Sequence, residues 1–278
     1  MNPLRVVSLS PSTTEIVCAL GCGEWLVGRS HACDHPDGVR SLPEVTRPGG
    51  PAAEPAAGAE VRGAGVDPAA IAALEPDRIL VPPACATLAE VWLEFRRVAG
   101  LLGVPERGIQ LVSRLAGRMR AIESRAGTLG ARPRVAFLGG IEPPAGAGRW
   151  IPELVALAGG ECLFGTAGAP EPRVAWSALR AADPDVLWVA PGGDLACAHA
   201  GLDTLAARPG WSGLAAVRGS RVFAGDGEAR FHRPGPRLME GVEALAEALH
   251  PGAFRFGHEG RAWGPRAAGV AAAARLRP

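Results

Sequence analysis

The chain has 278 residues, 47% of them hydrophobic, and carries 29 basic against 28 acidic side chains for a net charge of +1. That is enough apolar material for two modest cores or one large one. The balanced charge argues against a nucleic-acid partner, which calls for a basic surplus on one face. Lysine and tyrosine are absent while glycine (38) and proline (26) abound, the imprint of GC-rich bacterial coding rather than of chemistry.

The N-terminus reads MNPLRVVSLSPSTTEIV. It lacks the basic stretch, apolar run and small-residue cleavage site of a signal peptide. The expected location is cytoplasmic, or periplasmic or extracellular if the true start lies upstream. No stretch reaches the roughly 18 apolar residues of a membrane span, so no membrane insertion is expected. The six cysteines stand in a chain too long for a small stapled scaffold. Cys18 and Cys22 lie among apolar residues and read as buried thiols.

In chain order, LRVVSLS (4–10) is a buried strand ending at Pro11. Ser12 and Glu15 form a capping-box pattern that opens a helix over 13–20, stopped by Gly21 and Gly23. WLVGRS (25–30) is a second strand, so SHACDHP (30–36) begins at a strand's C-terminal end, the edge where open α/β sheets bind ligands. Residues 47–66 are proline-, glycine- and alanine-rich and predict a flexible loop. A short helix with an Asp cap spans 67–77, RILVPPAC is a strand and turn, and 87–103 is helical. Pro105 opens a long helix to about Arg125, with Val112, Leu115, Met119 and Ile122 on one face.

A second α/β set follows. RPRVAFLGG is a strand, IEPPAGAGRWIPELVALAGG a loop and helix, and WSALRAADPDVLWVAPGG repeats the helix–PD–strand phrase of IAALEPDRILVPP. A strand, a loop (EARFHRPGPR) and a closing helix complete it, and the tail from 253 to 278 shows no readable pattern. The predicted fold class is α/β, with two Rossmann-like lobes joined by one long bridging helix and a ligand cleft between them. The lobes are 1–103 and 131–252, the bridge 104–130.

Several residues are candidates for chemistry. In an extended SHACDHP segment His31, Cys33 and His35 share one side and Asp34 the other. His31 and Cys33 are soft-metal ligand types; with Cys85 and His232, also at strand-end loops, they could form a transition-metal site. Alternatively Asp34 caps the loop backbone and His31 lines a pocket. The helix N-terminus at Ser10, Pro11, Ser12 and Thr13 could hold an anion or be ordinary capping. Glu142 could face ligand or only solvate its loop. Trp150 is expected to pack under a helix start, and Arg237 to be structural. Asp226 and Glu228 could join His232 in an acid–base set. No nucleophile elbow, phosphate-cradling glycine motif or HExxH is present.

The segments VVSLSPSTTEIVCALG, LVGRSHACDHP, LEPDRILVP, GGIEPPAGAGRWIPELVALAGGECLFG, LRAADPDVLWVAPGG and RPGPRLMEGVEALAEAL run in the same order as in a known family. The chain resembles the class III substrate-binding proteins of ABC importers, in the vitamin B12-binding branch. The resemblance implies two lobes bridged by a rigid helix and a small-molecule ligand, cobalamin or a related corrinoid, held in the interlobe cleft. It implies that Ser10 to Thr13 line the cleft. Gly140 stands at the end of the second lobe's first strand, and Phe231, His232 and Arg233 lie in the last cleft loop. A cleft histidine such as His31 could then ligate the corrinoid cobalt. Ala32, Gly139 and Arg230 stand where the periplasmic B12 binders carry aromatics, and a helix and strand usual after RILVPPAC are missing. The implied role is a carrier or sensor without catalysis. The alternatives are a metal-dependent enzyme on the same scaffold and, if the protein is exported, a receptor for an ABC permease.

Overall fold

The structure, a computed structural model, describes residues 3–49 and 64–266. The chain divides into two compact units, 1–121 with 233–239, and 122–232 with 240–278. The first contains β1 (Val6–Ser8), α1 (Pro11–Ala19), β2 (Leu26–Arg29), β3 (Thr46–Pro48), β4 (Ala64–Val66), α2 (Pro68–Ala73), β5 (Arg78–Leu80) and α3 (Leu88–Leu101). Its sheet has the order β2-β1-β5, all parallel. β1 is central and wholly buried, which is why it reads VVS without polar alternation. α4 (Pro105–Gly127) belongs to the first unit through Ala121 and to the second from Ile122.

The second unit adds β6 (Arg134–Leu138), β7 (Gly140–Ile141), β8 (Pro144–Ala145), α5 (Ile151–Leu157), β9 (Glu161–Cys162), α6 (Trp176–Ala182) and β10 (Val186–Val189). It continues through α7 (Leu195–Ala206), α8 (Ala215–Arg218), β11 (Val222–Gly225), α9 (Leu238–Leu249, in this unit from Glu240) and β12 (Trp263–Pro265). The sheet order is β12-β11-β10-β6-β9, parallel except for β12. Strand alternation sorts its two faces. Phe137, Trp188 and Phe223 pair across neighbouring strands on one face. Phe231 packs on that row, 5.2 Å from Phe137 and 5.7 Å from Trp188 between ring centroids. Ala136, Leu138, Leu187, Val189, Val222 and Ala224 point the other way and pack with α6, α7 and α8.

The repeated PD phrase has one physical job in both units. Asp77 Oδ2 accepts the backbone N–H of Arg5 at 2.8 Å, and Asp185 Oδ2 accepts that of Arg134 at 2.8 Å. Each aspartate thus holds the chain where its unit's first strand begins. The residues before the two prolines, Glu75 and Asp183, both have left-handed φ, 43° and 42°. Proline disfavours the right-handed helical region for the residue before it, so the helix must end there.

Four expectations change. α1 is capped by Ser10, whose Oγ accepts from Thr13 N at 3.3 Å, and not by Ser12. Pro11, lacking an N–H, takes the first helical position instead. The 47–66 segment is bounded by β3 and β4, which pair antiparallel, while 50–63 lie outside the described residues. The tail is structured to 266: Glu247, buried on α9, accepts from Gly257 N at 2.5 Å and Trp263 Nε1 at 2.9 Å and from Phe256 N. Those bonds seat β12 beside β11. The rest of the tail, 267–278, lies outside the described residues.

The fourth change concerns Glu15, freed from capping. It is 3% exposed and accepts from Arg233 Nη1 at 3.0 Å and from Arg237 Nε at 3.0 Å. Asp34 accepts from Arg233 Nη1 at 2.7 Å, an arginine pairing added to the local backbone bond expected of it. Burial works to raise the Asp34 pKa, but the Arg233 hydrogen bond and the Arg233 and Arg237 charges hold it below the usual carboxylate range. Burial opposes the charge on Arg233, and the Asp34 and Glu15 contacts overcome it and raise its pKa. This quartet binds residues 233–239 into the first unit.

Glu15→Ala leaves two largely buried arginines short of a partner and is expected to cost about 3–5 kcal/mol in chemical denaturation. Asp34 is 39% exposed, so Asp34→Asn is expected to cost no more than about 1 kcal/mol at pH 7. Because the folded pKa of Asp34 is depressed, its contribution is present above roughly pH 4 and lost as pH falls through the folded value. Denaturation curves of wild type and Asp34→Asn should therefore converge as pH is lowered below 4.

Candidate functional site

In the first unit, the loop after β2 is organised by Arg29, a buried residue at the strand's end. Its Nη1 donates to the carbonyls of Ser30 at 3.0 Å and Cys33 at 3.4 Å, and its Nη2 to Glu44 Oε1 at 2.8 Å. The Cys33 N–H closes a turn onto Ser30 O at 3.0 Å. SHACDHP is therefore a turn and not an extended segment, and the expected alternation fails. His31 is partly exposed, with Nδ1 2.6 Å from Thr46 Oγ1. Cys33 is buried, with Sγ 3.1 Å from Thr14 Oγ1. From there a buried hydroxyl chain runs through Ser8 (2.8 Å), Thr13 (2.7 Å), Ser10 (2.9 Å) and Ser12 (3.0 Å). The hydroxyls satisfy one another inside the fold, and Ser10, Pro11, Ser12 and Thr13 are all buried.

These contacts bear on the metal reading. Burial pushes the Cys33 thiol up, with partial relief from the Thr14 hydrogen bond, which favours the protonated form over the thiolate a metal needs. Cys85 is buried ahead of α3, and the Cys162 thiol is pushed up to about 11 by burial. Among the described residues no group of three or more His, Cys, Asp or Glu side chains is placed to hold a metal ion. His31 and Cys33 engage different partners instead of converging.

In the second unit the richest feature is His232, at the C-terminal edge of the parallel strands. It ends a π-helical turn, Glu228–His232, that follows β11. Its Nε2 lies 2.8 Å from Ala190 O, just past β10. A carbonyl only accepts, so Nε2 carries a proton, and in the neutral imidazole Nδ1 is then the nitrogen with the lone pair. Nδ1 is 3.6 Å from Glu171 Oε1, and the imidazole side chain is 20% exposed. Gly139, just past β6, lies against the ring: a Cβ there would stand 3.2 Å from His232 Cε1. Gly148 admits Glu171 in the same way, since a Cβ would meet its Cγ at 2.6 Å. Glu171 carried no sequence signal; it follows Pro170 in a loop, and only the two distant glycines that make room for it could have pointed there.

The other predicted residues are spread over separate tasks. Arg230 is bound by Asp226 and by Glu240 Oε2 at 3.0 Å, so Asp226 serves arginine and not His232. Phe231 is fully buried in the aromatic face of the sheet. Arg233 lies in the charged quartet of the first unit. Glu142 is exposed, with Arg208 Nη2 at 3.3 Å, and Gly140 pairs with Ala145 in a two-residue ribbon. Ala32 is partly exposed beside His31. Trp150 packs under the start of α5 and donates to Phe231 O at 2.8 Å, fixing the turn that ends in His232.

The family model of periplasmic binding proteins matches residues 81–229, more than half of the chain. An uncharacterized ABC transporter substrate-binding lipoprotein, YvrC of Bacillus subtilis, is 22% identical over 91% of this chain and 82% of its own length. A vitamin B12-binding protein of Photorhabdus laumondii is 24% identical, covering 89% of this chain and 88% of its own. Among solved structures, the apo periplasmic heme-binding protein RhuT from Roseiflexus sp. RS-1 superposes with a TM-score of 0.67 at 26% identity, over 91% of this chain and all of that one. Among the described residues no helix is long and apolar enough to cross a membrane. With two α/β units, parallel sheets and this family match, the chain belongs to the periplasmic binding proteins, the class III ABC substrate-binding proteins among them.

Proposed function

We propose that the protein binds a metal-bearing tetrapyrrole or corrinoid of the cobalamin type as its cargo, with His232 as the side chain that reaches the central metal. It serves as a carrier or sensor without catalysis, and hands its cargo to an ABC permease if it is exported. The observation that carries this reading is the hydrogen bond that ties Nε2 of His232 to Ala190 O. Metal-binding histidines characteristically donate their second ring N–H to a carbonyl or carboxylate, and here Nε2–H is committed to Ala190 O, which leaves Nδ1 of the neutral ring as the metal-facing nitrogen. The ring is partly open, and Gly139 puts no side chain against it. The vitamin B12-binding and heme-binding relatives support the ligand class.

Glycine at 139 leaves no side chain beside His232 where a stacking aromatic would narrow the choice of ring. The reading therefore favours ligation and shape over stacking as the source of affinity. Cobinamide, cobalamin and hemin are the probes. Absorbance titration of the wild type is expected to show a saturable band shift with at least one of them. His232→Ala is expected to weaken that binding roughly tenfold or more and to change the bound spectrum, while His31→Ala leaves the spectrum unchanged. Absence of any shift in the wild type overturns the ligand class; an unaltered bound spectrum in His232→Ala overturns the assignment of His232.

A further inference from the structure

The second unit holds a cavity at the opposite end of its sheet from His232. It is a solvent-open pocket of about 370 Å³ whose lining includes Arg132, Pro133, Asp185, Arg221, Leu249 and His250. Pro133, Asp185 and Arg221 all immediately precede strands, β6, β10 and β11, so this is the N-terminal edge of the sheet. Nothing in the proposed cargo site uses these residues.

The charge lining the cavity is uneven. Arg221 Nη2 donates to Leu249 O at 2.9 Å, and Arg132 Nε donates to Gly160 O at 3.2 Å. Both guanidiniums are held by backbone carbonyls, and the carboxylate of Asp185 acts on Arg221 through its charge. Asp185 is the one acid in the lining, and its Oδ2 accepts from Arg134 N. Burial depresses the Arg221 pKa and Asp185 only partly offsets this, so the cationic form is under-compensated where it stands. His250, 8% exposed, lines the same cavity, and its Nε2 is buried without a hydrogen bond of good geometry, near the carbonyls of Gly159 and Ala158. Two guanidiniums with N–H groups to spare form the forked donor set that matches tetrahedral oxyanions.

We infer that this cavity is a second binding site, for an oxyanion of the phosphate class, either inorganic phosphate or the phosphate group of a small molecule. The oxyanion takes hydrogen bonds from Arg132 and Arg221 and fills the space between them. Ligand that binds the folded state alone raises the melting temperature with saturation. The probes are inorganic phosphate and a phosphate monoester, glycerol phosphate, each compared with sodium chloride at equal ionic strength. Both phosphates are expected to raise the melting temperature of the full chain saturably, and chloride is not. Preference for the ester identifies a phosphorylated small molecule as the natural occupant; equal response identifies phosphate itself.

Arg132→Gln, at an exposed position, and Arg221→Gln are each expected to weaken the phosphate response about tenfold. Arg132 is exposed and Arg221 only partly so, and the Arg132 variant keeps the test valid if Arg221→Gln fails to fold. His232→Ala is expected to retain the full phosphate response, and Arg132→Gln the full cobinamide response, so failure here is distinguishable from failure of the cargo reading. An equal effect of chloride at matched ionic strength, or an unchanged phosphate response in Arg132→Gln, overturns the proposal.

Discussion

The buried carboxylate of Glu15 is the constraint on which much of the first unit rests. It stands in the second turn of α1 and faces two guanidiniums from a segment more than two hundred residues later. A buried carboxylate without partners would be costly enough to destabilise the helix that carries it. Arg233 and Arg237 meet that need, and Asp34 balances the second positive charge from the loop after β2. In this way one interaction draws together the end of β1, the SHACDHP turn and residues 233–239. Arg233, one residue past His232 in sequence, is held by Glu15 and Asp34.

The second unit depends on a different economy. Its sheet separates an aromatic face from an aliphatic one by simple alternation, and Phe231 and Trp150 extend the aromatic face into the turn that presents His232. The imidazole is thus positioned from a packed base: Phe231 below it in the core, Ala190 O fixing the ring proton, Glu171 beside Nδ1. A histidine so held loses little freedom on meeting a ligand, which is the general advantage of a preorganised group.

The architecture was largely readable from the residues. The EPD and DPD phrases announced the internal repeat, and the structure gives them a shared bond from aspartate to the first strand of each unit. The 3.6-residue pattern of Val112, Leu115, Met119 and Ile122 announced α4. What escaped reading did so for physical reasons. α7 is alanine- and glycine-rich with little polar contrast to mark a face, and β12 pairs only because Glu247 on α9 seats its turn. The capping-box pattern at Ser12 and Glu15 was a true local signal overruled by Pro11 and by a distant charge. Glu171, the Glu15 quartet and the partner of Asp34 are set by tertiary contacts between residues far apart in the chain, which no local periodicity encodes. Of the candidate site, the sequence marked His232 as a loop histidine, but it did not mark the burial of Cys33, Phe231 and Arg233, which tertiary partners impose.

The central claim is that this chain is a binding protein for a metal-bearing tetrapyrrole or corrinoid. Native mass spectrometry of the purified chain mixed with cobinamide, cobalamin and hemin in turn tests it most directly. The account predicts a complex of one chain with one ligand for at least one of the three, surviving gentle desolvation. Spectra showing only the unliganded chain with all three would contradict it.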